Sequence, residues 1–222
     1  MRTPVVNYKQ FRLSKLRDPQ YSHLLLLLGW VVYFTLYYLT ENLIPAESCT
    51  PVHMWLDDVI PFQEIFVIPY VFWYILIVIS LGWFALYDVR SFKCLQTYIM
   101  ITQALAMVVY ILYPTRQDLR PEVFPRDNLL TDLVGIIYRF DTNTGVCPSL
   151  HVAYSIGIAS VWVRQRNASV LWRTFVVLAV ISICLSTMFI KQHSAVDFFA
   201  ALPVCLVAEL AVYGRTYFRK KA

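Results

Sequence analysis

Residues 142–156 read TNTGVCPSLHVAYSI. The turn formers of the first half end in Cys147, Pro148 and Ser149, and His151 then stands just inside an apolar run, Leu150–Val163. That run decides the fold. It holds 14 residues, or about 21 Å at roughly 1.5 Å per helical residue. A membrane crossing takes about 20 residues to pass roughly 30 Å of hydrocarbon. Counting the run as a crossing requires that it start below the membrane surface, and its start carries a titratable ring.

The rest of the chain reads as a membrane protein. Of its 222 residues 59% are apolar and 15% charged, against roughly 45–50% and 25% in soluble domains. Five further segments are apolar and near the length of a span: Tyr21–Thr40, Ile65–Tyr87, Leu95–Tyr113, Val170–Ile190 and Ser194–Gly214. With Leu150–Val163 they predict an all-α, polytopic membrane domain of six transmembrane helices filling residues 1–222. No soluble domain, internal repeat or low-complexity tract interrupts it.

Basic residues favour cytoplasmic loops near span ends. Arg2, Lys9, Arg12, Lys15 and Arg17 precede the first span, and Arg90 and Lys93 follow the second. Arg164, Arg166 and Arg173 surround the fourth-to-fifth junction, and Arg215, Arg219, Lys220 and Lys221 follow the last span. These are 14 of the 19 Lys and Arg residues, while the other three loops hold 11 of the 14 acids. Both termini (1–20 and 215–222) are therefore expected in the cytoplasm, which requires an even number of spans. The net charge of +5 is then a topological signal, and no basic, aromatic-interleaved face for nucleic acid is present. A basic stretch precedes the first span as in a signal peptide, but no small-x-small cleavage site follows, so an uncleaved anchor is expected.

The outer side holds two long segments, Glu41–Glu64 and Pro114–Ser149. In the second, Leu129, Leu130, Leu133, Ile136 and Ile137 share a helical face behind Asn128, a suitable N-cap. This predicts a short amphipathic helix, either lying in the membrane interface or covering the bundle as a surface helix. Cys184 and Cys205 fall within spans as packing residues, and Cys94 lies at a cytoplasmic end. Cys49 and Cys147 both fall in outer loops, where oxidation is permitted, so a Cys49–Cys147 disulfide is an open pairing. His23 and His53 read as interfacial polar residues. Asp57 and Asp58, with His53 four residues before Asp57, could bind a cation but read first as a solvated loop face, and Glu209 reads as a helix-pairing or snorkelling group. Pro69 and Pro203 are expected to kink their helices.

Three polar clusters converge on the outer face under this topology: Arg116–Pro121, Pro148–His151 and Lys191–Asp197. Asp197 follows His193 by four residues, one helical turn apart on a shared face. A carboxylate there fixes the imidazole tautomer and frees the other nitrogen, serving either a general base or a nucleophile. Two arginines, a lysine, a serine hydroxyl and two imidazoles suit a phosphate. Arg grips phosphate oxygens as a fork and Lys as a point charge. Ser149 opens a helix whose N–H groups could face an anion, and one histidine could attack phosphorus while the other protonates the departing oxygen. His151, His193 and Asp197 also form a possible metal-ligand set, which the surrounding cations would oppose.

Arg120-Pro121, Pro148-Ser149-Leu150-His151 and His193-x-x-x-Asp197 resemble the three signature motifs of the type-2 phosphatidic acid phosphatase superfamily. The likeness is to its six-span branch with bacterial membrane phosphatases and inositol phosphorylceramide synthase-like enzymes, and it covers about Tyr113 to Ala201. The resemblance implies that His193 forms a phosphohistidine and Asp197 orients it. It further implies that His151 protonates the leaving oxygen and then activates water, and that Arg120 and Ser149 hold the phosphate, without metal or other cofactor. The sequence departs from the pattern at Tyr113 and Thr187, where the motifs often carry Lys and Arg; Arg116 and Lys191 are nearby cations that could substitute. The expected activity is hydrolysis of a lipid phosphomonoester or pyrophosphate at the outer side of the bilayer. The alternatives are transfer of a phosphoryl or phospho-head group to an alcohol, and a non-enzymatic lipid-binding or transport protein on the same scaffold.

Overall fold

The computed structural model describes residues 3–219; Arg2, Lys220 and Lys221 of the basic termini lie outside the described residues. Eight α-helices occur among these: α1 (Leu28–Leu43), α2 (Trp55–Val59), α3 (Val67–Tyr87), α4 (Val89–Leu112), α5 (Leu129–Phe140), α6 (Leu150–Arg164), α7 (Val170–Phe189) and α8 (Ala195–Arg219). A two-residue parallel pair, β1 (Thr50–Pro51) with β2 (Thr115–Arg116), joins the two outer loops.

Five segments are long and apolar enough to cross a membrane, and the chain is an integral membrane protein. They are Ser22–Leu43, Glu64–Tyr87, Val89–Leu112, Val170–Phe189 and Ala195–Gly214. The expected fourth span, α6, has 15 residues and does not join them by length and composition. It is the hub of the bundle, with ten of its residues buried against α3, α4, α7 and α8. Gly157 makes the approach to α4 possible, since a Cβ there would stand 2.5 Å from the ring of Tyr98. Tyr98 is itself fully buried and its hydroxyl donates to the Cys205 carbonyl on α8 at 3.3 Å.

Short polar side chains set the helix starts, as N-caps do by accepting from otherwise unpaired N–H groups. Asp88 accepts from Ser91, Ser149 from Val152 and Ser169 from Trp172. Pro69 falls in the first turn of α3, where its missing N–H is not needed, and Pro203 lies within α8. α1 is peripheral. It has no buried side chain and rests on α4, where Trp30 Nε1 donates to Gln96 Oε1 at 3.1 Å.

A second, smaller core forms at the His193 end of the bundle from Val67, Tyr70, Val134 and Ile190, covered by α5. Asn128 caps α5 as expected, accepting from Leu130 and Thr131. The buried face is rotated from the predicted one, however. Leu130, Leu133, Val134, Ile137 and Tyr138 pack inward, whereas Leu129 and Ile136 are exposed. Thr131 is buried and its hydroxyl completes the cap, accepting from the Asn128 N–H.

Candidate active site

The stretch 142–149 is held as a loop by the segment leaving α4. Gly145 N–H donates to the Thr115 carbonyl at 2.9 Å, Gln117 N–H to Asn143 O at 2.9 Å, and Cys147 N–H to Thr115 Oγ1 at 3.2 Å. Gly145 has φ +58°, a left-handed backbone that glycine adopts without strain. The Tyr110 hydroxyl, from α4, donates to the Pro148 carbonyl at 2.7 Å. At the end of the loop Ser149 N–H donates to the Asp197 carbonyl at 3.0 Å, tying the start of α6 to the start of α8.

The start of α8 is a capping box, Ser194-Ala-Val-Asp197. Ser194 Oγ accepts from Val196 N–H at 3.1 Å and Asp197 Oδ2 accepts from Ser194 N–H at 3.0 Å. The same Oδ2 accepts from His193 Nδ1 at 3.1 Å. A carboxylate only accepts, so Nδ1 carries the proton and Nε2 is left as the free nitrogen of the neutral ring. His151 lies beside this pair, its ring centroid 5.5 Å from that of His193. It is sandwiched by aromatic rings, with centroids at 4.0 Å from Trp73 and 4.6 Å from Tyr70. His151 Nε2 is buried without a protein partner.

Both histidines line a cavity of 570 Å³ between α1 and α3. Its walls are mostly aromatic, with Trp30, Tyr33 and Tyr37 from α1 and Trp73 and Tyr74 from α3. Asp141, Thr142 and Gln192 form its polar end beside His193.

The expected phosphate ligands divide. Arg120 sits one side chain behind the cavity wall, donating to the carbonyls of Tyr138 at 3.0 Å and Asp141 at 2.6 Å and to Gln192 Oε1 at 2.9 Å. Its guanidinium stacks over the Tyr138 ring at 4.4 Å, and burial lowers its pKa from the ordinary value. Ser149 is fully buried as the α6 cap. Arg116 and Lys191 are engaged elsewhere. Arg116 pairs with Asp118 at 3.0 Å and donates to the Ala46 carbonyl, while Lys191 Nζ donates to the carbonyls of Asp57 at 2.7 Å and Ile60 at 2.5 Å. Neither lines the cavity. Tyr113 is exposed at the end of α4. Thr187 is buried, and its carbonyl accepts from Gln192 and His193 N–H at 3.0 and 2.9 Å.

Two residues of the site were not singled out by sequence, and a third was misread. Gln192 links Arg120 to the cavity, and Tyr70 donates its hydroxyl to Asp141 Oδ2 at 2.6 Å while stacking on His151. Asp57, read as solvated, is buried and caps α8 from a distance, accepting from Ser194 Oγ at 2.5 Å and Ala195 N–H at 2.8 Å. Its partners lie 137 and 138 residues away, beyond any local pattern. The capping box alone was available as a sequence signal for the α8 start.

Cys49 and Cys147 are free thiols. Burial, with the Asp197 carboxylate alongside, pushes the Cys147 thiol up to about 12. Away from the site, His23 is buried with Nε2 at 2.7 Å from the Tyr8 hydroxyl, His53 pairs with Asp58, and Glu209 pairs with Arg164. Among the described residues no group of three His, Cys, Asp or Glu is arranged to hold a metal ion, and the set His151, His193 and Asp197 is not so arranged. No protein-family profile, curated protein or solved structure matches the chain.

Proposed function

We propose that the chain is a membrane-embedded lipid phosphatase of the type-2 phosphatidic acid phosphatase kind, acting through a phosphohistidine at His193. The observation that carries this reading is the oriented pair His193 Nδ1 to Asp197 Oδ2 at 3.1 Å, with the unpartnered His151 ring 5.5 Å away on one cavity. In the first step His193 Nε2 attacks phosphorus, an N–P bond forms, and the P–O bond to the lipid alcohol breaks. The proton on His151 passes to the departing alkoxide. In the second step neutral His151 takes a proton from water, whose oxygen displaces His193 and releases inorganic phosphate. Asp197 stabilises the imidazolium character that develops on His193. Arg120 supplies positive charge from behind Gln192, where it offsets charge on the transferring group.

The reading includes a sixth crossing by α6, with both termini in the cytoplasm and the cavity on the outer side. The short helix then leaves His151 at head-group depth while the lipid chains stay in the bilayer. Exposed Leu129, Ile136 and Phe140 on α5 support a helix resting in the interface above it. Transfer to an alcohol acceptor would use the same residues, with the acceptor in place of water.

The test incubates purified protein with radiolabelled lipid phosphates in chelator, with and without acceptor alcohols. Release of inorganic phosphate that is lost in His193→Ala is the expected result. An acceptor-dependent phosphorylated product would establish the transferase instead. Turnover by His193→Ala at the native rate would refute the phosphohistidine, and activity abolished by chelator would restore a metal mechanism.

A further inference from the structure

The charge on the cavity wall is of the wrong sign for a bare phosphate. Among its lining residues are two imidazoles and one carboxylate, Asp141, and there is no Lys or Arg. Arg120, the nearest candidate, is turned onto two carbonyls and Gln192. The Asp141 carboxylate accepts the Tyr70 hydroxyl and makes no ion pair among the described residues. A second carboxylate, Glu41, stands just outside, accepting from the hydroxyls of Thr142 and Thr144. A dianionic phosphate placed against His193 would meet this negative rim, and the repulsion would grow as the apolar walls exclude water.

The neighbouring walls supply what a cation needs. Tyr33, Tyr37 and Tyr74 line the same cavity as Asp141. Tyr33 and Tyr37 present rings 5.9 Å apart and near parallel. A Cβ on Gly145 would stand 3.3 Å from Glu41 Oε1 and 3.7 Å from the Tyr37 ring, so the bare glycine leaves this corner open. Aromatic faces attract ammonium groups through their quadrupoles, and cages of this composition hold alkylated ammonium ligands. The buried, unpartnered His151 Nε2 in the same cavity independently marks it as a site that takes a polar ligand.

We infer that the cavity takes a zwitterionic lipid phosphate, one whose ammonium lies a few bonds from phosphorus. The ammonium is held by Asp141 and the rings of Tyr33, Tyr37 and Tyr74 while the phosphate meets His193. The inference rests on the phosphohistidine reading for the position of the phosphate. Asp141 is a specificity residue in it and takes no part in bond making.

The test uses a long-chain amino-alcohol phosphate and its N-acetyl derivative, which carries a neutral acetamide in place of the ammonium. Binding of each radiolabelled lipid is measured by equilibrium dialysis with full-length His193→Ala protein in detergent, so that turnover does not intervene. The amine should bind at least about tenfold more tightly. Asp141→Asn, which keeps an acceptor for Tyr70, and Tyr37→Leu, which keeps bulk without a ring, should each bring the ratio toward one without weakening the N-acetyl lipid. Equal binding of the two lipids, or a preference that survives Asp141→Asn, overturns the inference. Equal phosphate release from both lipids by the native chain also removes it and leaves the phosphatase reading standing. A binding preference without any phosphate release would sustain the inference as a ligand site and remove the phosphatase reading.

Discussion

Lys191 shows how a cation beside a catalytic motif can serve the fold. Its φ is +54°, a left-handed conformation that costs a residue with a side chain about 1–2 kcal/mol. The conformation is offset by the two carbonyls, of Asp57 and Ile60, that its ammonium reaches, since hydrogen bonds to charged groups contribute about 1.5–3 kcal/mol. Lys191→Met should therefore lower the melting temperature by several degrees while leaving KM for a lipid phosphate within about threefold of native. On the proposed chemistry Arg120→Ala should do the reverse in kinetics, lowering kcat/KM by about tenfold or more, because its charge acts from behind Gln192 and holds the Asp141 and Gln192 wall. Parallel melting curves and steady-state kinetics of the two variants check the division. A tenfold rise in KM for Lys191→Met would place its ammonium on the phosphate after all.

At the level of the element, α6 carries the site because it is enclosed on four sides, and Gly157 sets how closely α4 approaches. Gly157→Ala forces its Cβ onto the buried Tyr98 ring, an overpacking that costs about 1–3 kcal/mol. Gly82→Ala on α3 meets nothing within 4 Å and should instead gain about 1 kcal/mol of helix propensity. Thermal unfolding of the two variants in detergent should shift in opposite directions; a neutral Gly157→Ala would mean that α4 and α6 are free to separate. The five long helices were legible in the sequence because apolar length is a local property, and the His193–Asp197 pair because one helical turn is. The face of α5 was misjudged because it is set by contact with Val67, Tyr70 and Ile190, which hydropathy within the helix does not register. Asp57, Tyr70 and Gln192 were invisible for a different reason: their roles are fixed by partners 137, 71 and 72 residues distant.

For the whole molecule, the parity of crossings is the central quantity. Five segments qualify by length and apolar character, and five crossings would put the termini on opposite sides. Counted with α6 as a crossing, 14 of 19 basic residues fall in alternate connections, the asymmetry expected when both termini share one side. α6 resolves the conflict if it crosses within the bundle, where neighbouring helices rather than lipid surround its ends. Epitope tags at the two termini should therefore be protected together, or exposed together, when sealed vesicles of one orientation are treated with protease. Protection of one tag alone would establish five crossings and place His151 in a helix that turns back.

The Asp197 carboxylate closes the first turn of α8 and holds the tautomer of His193 with a single oxygen. A newly inserted chain has the local His193–Asp197 turn but lacks the Asp57 cap on the α8 start and the Asp197 carbonyl that holds Ser149, both of which arrive only when distant segments meet. On the proposed chemistry the imidazole is oriented early, and its approach to His151 waits on assembly.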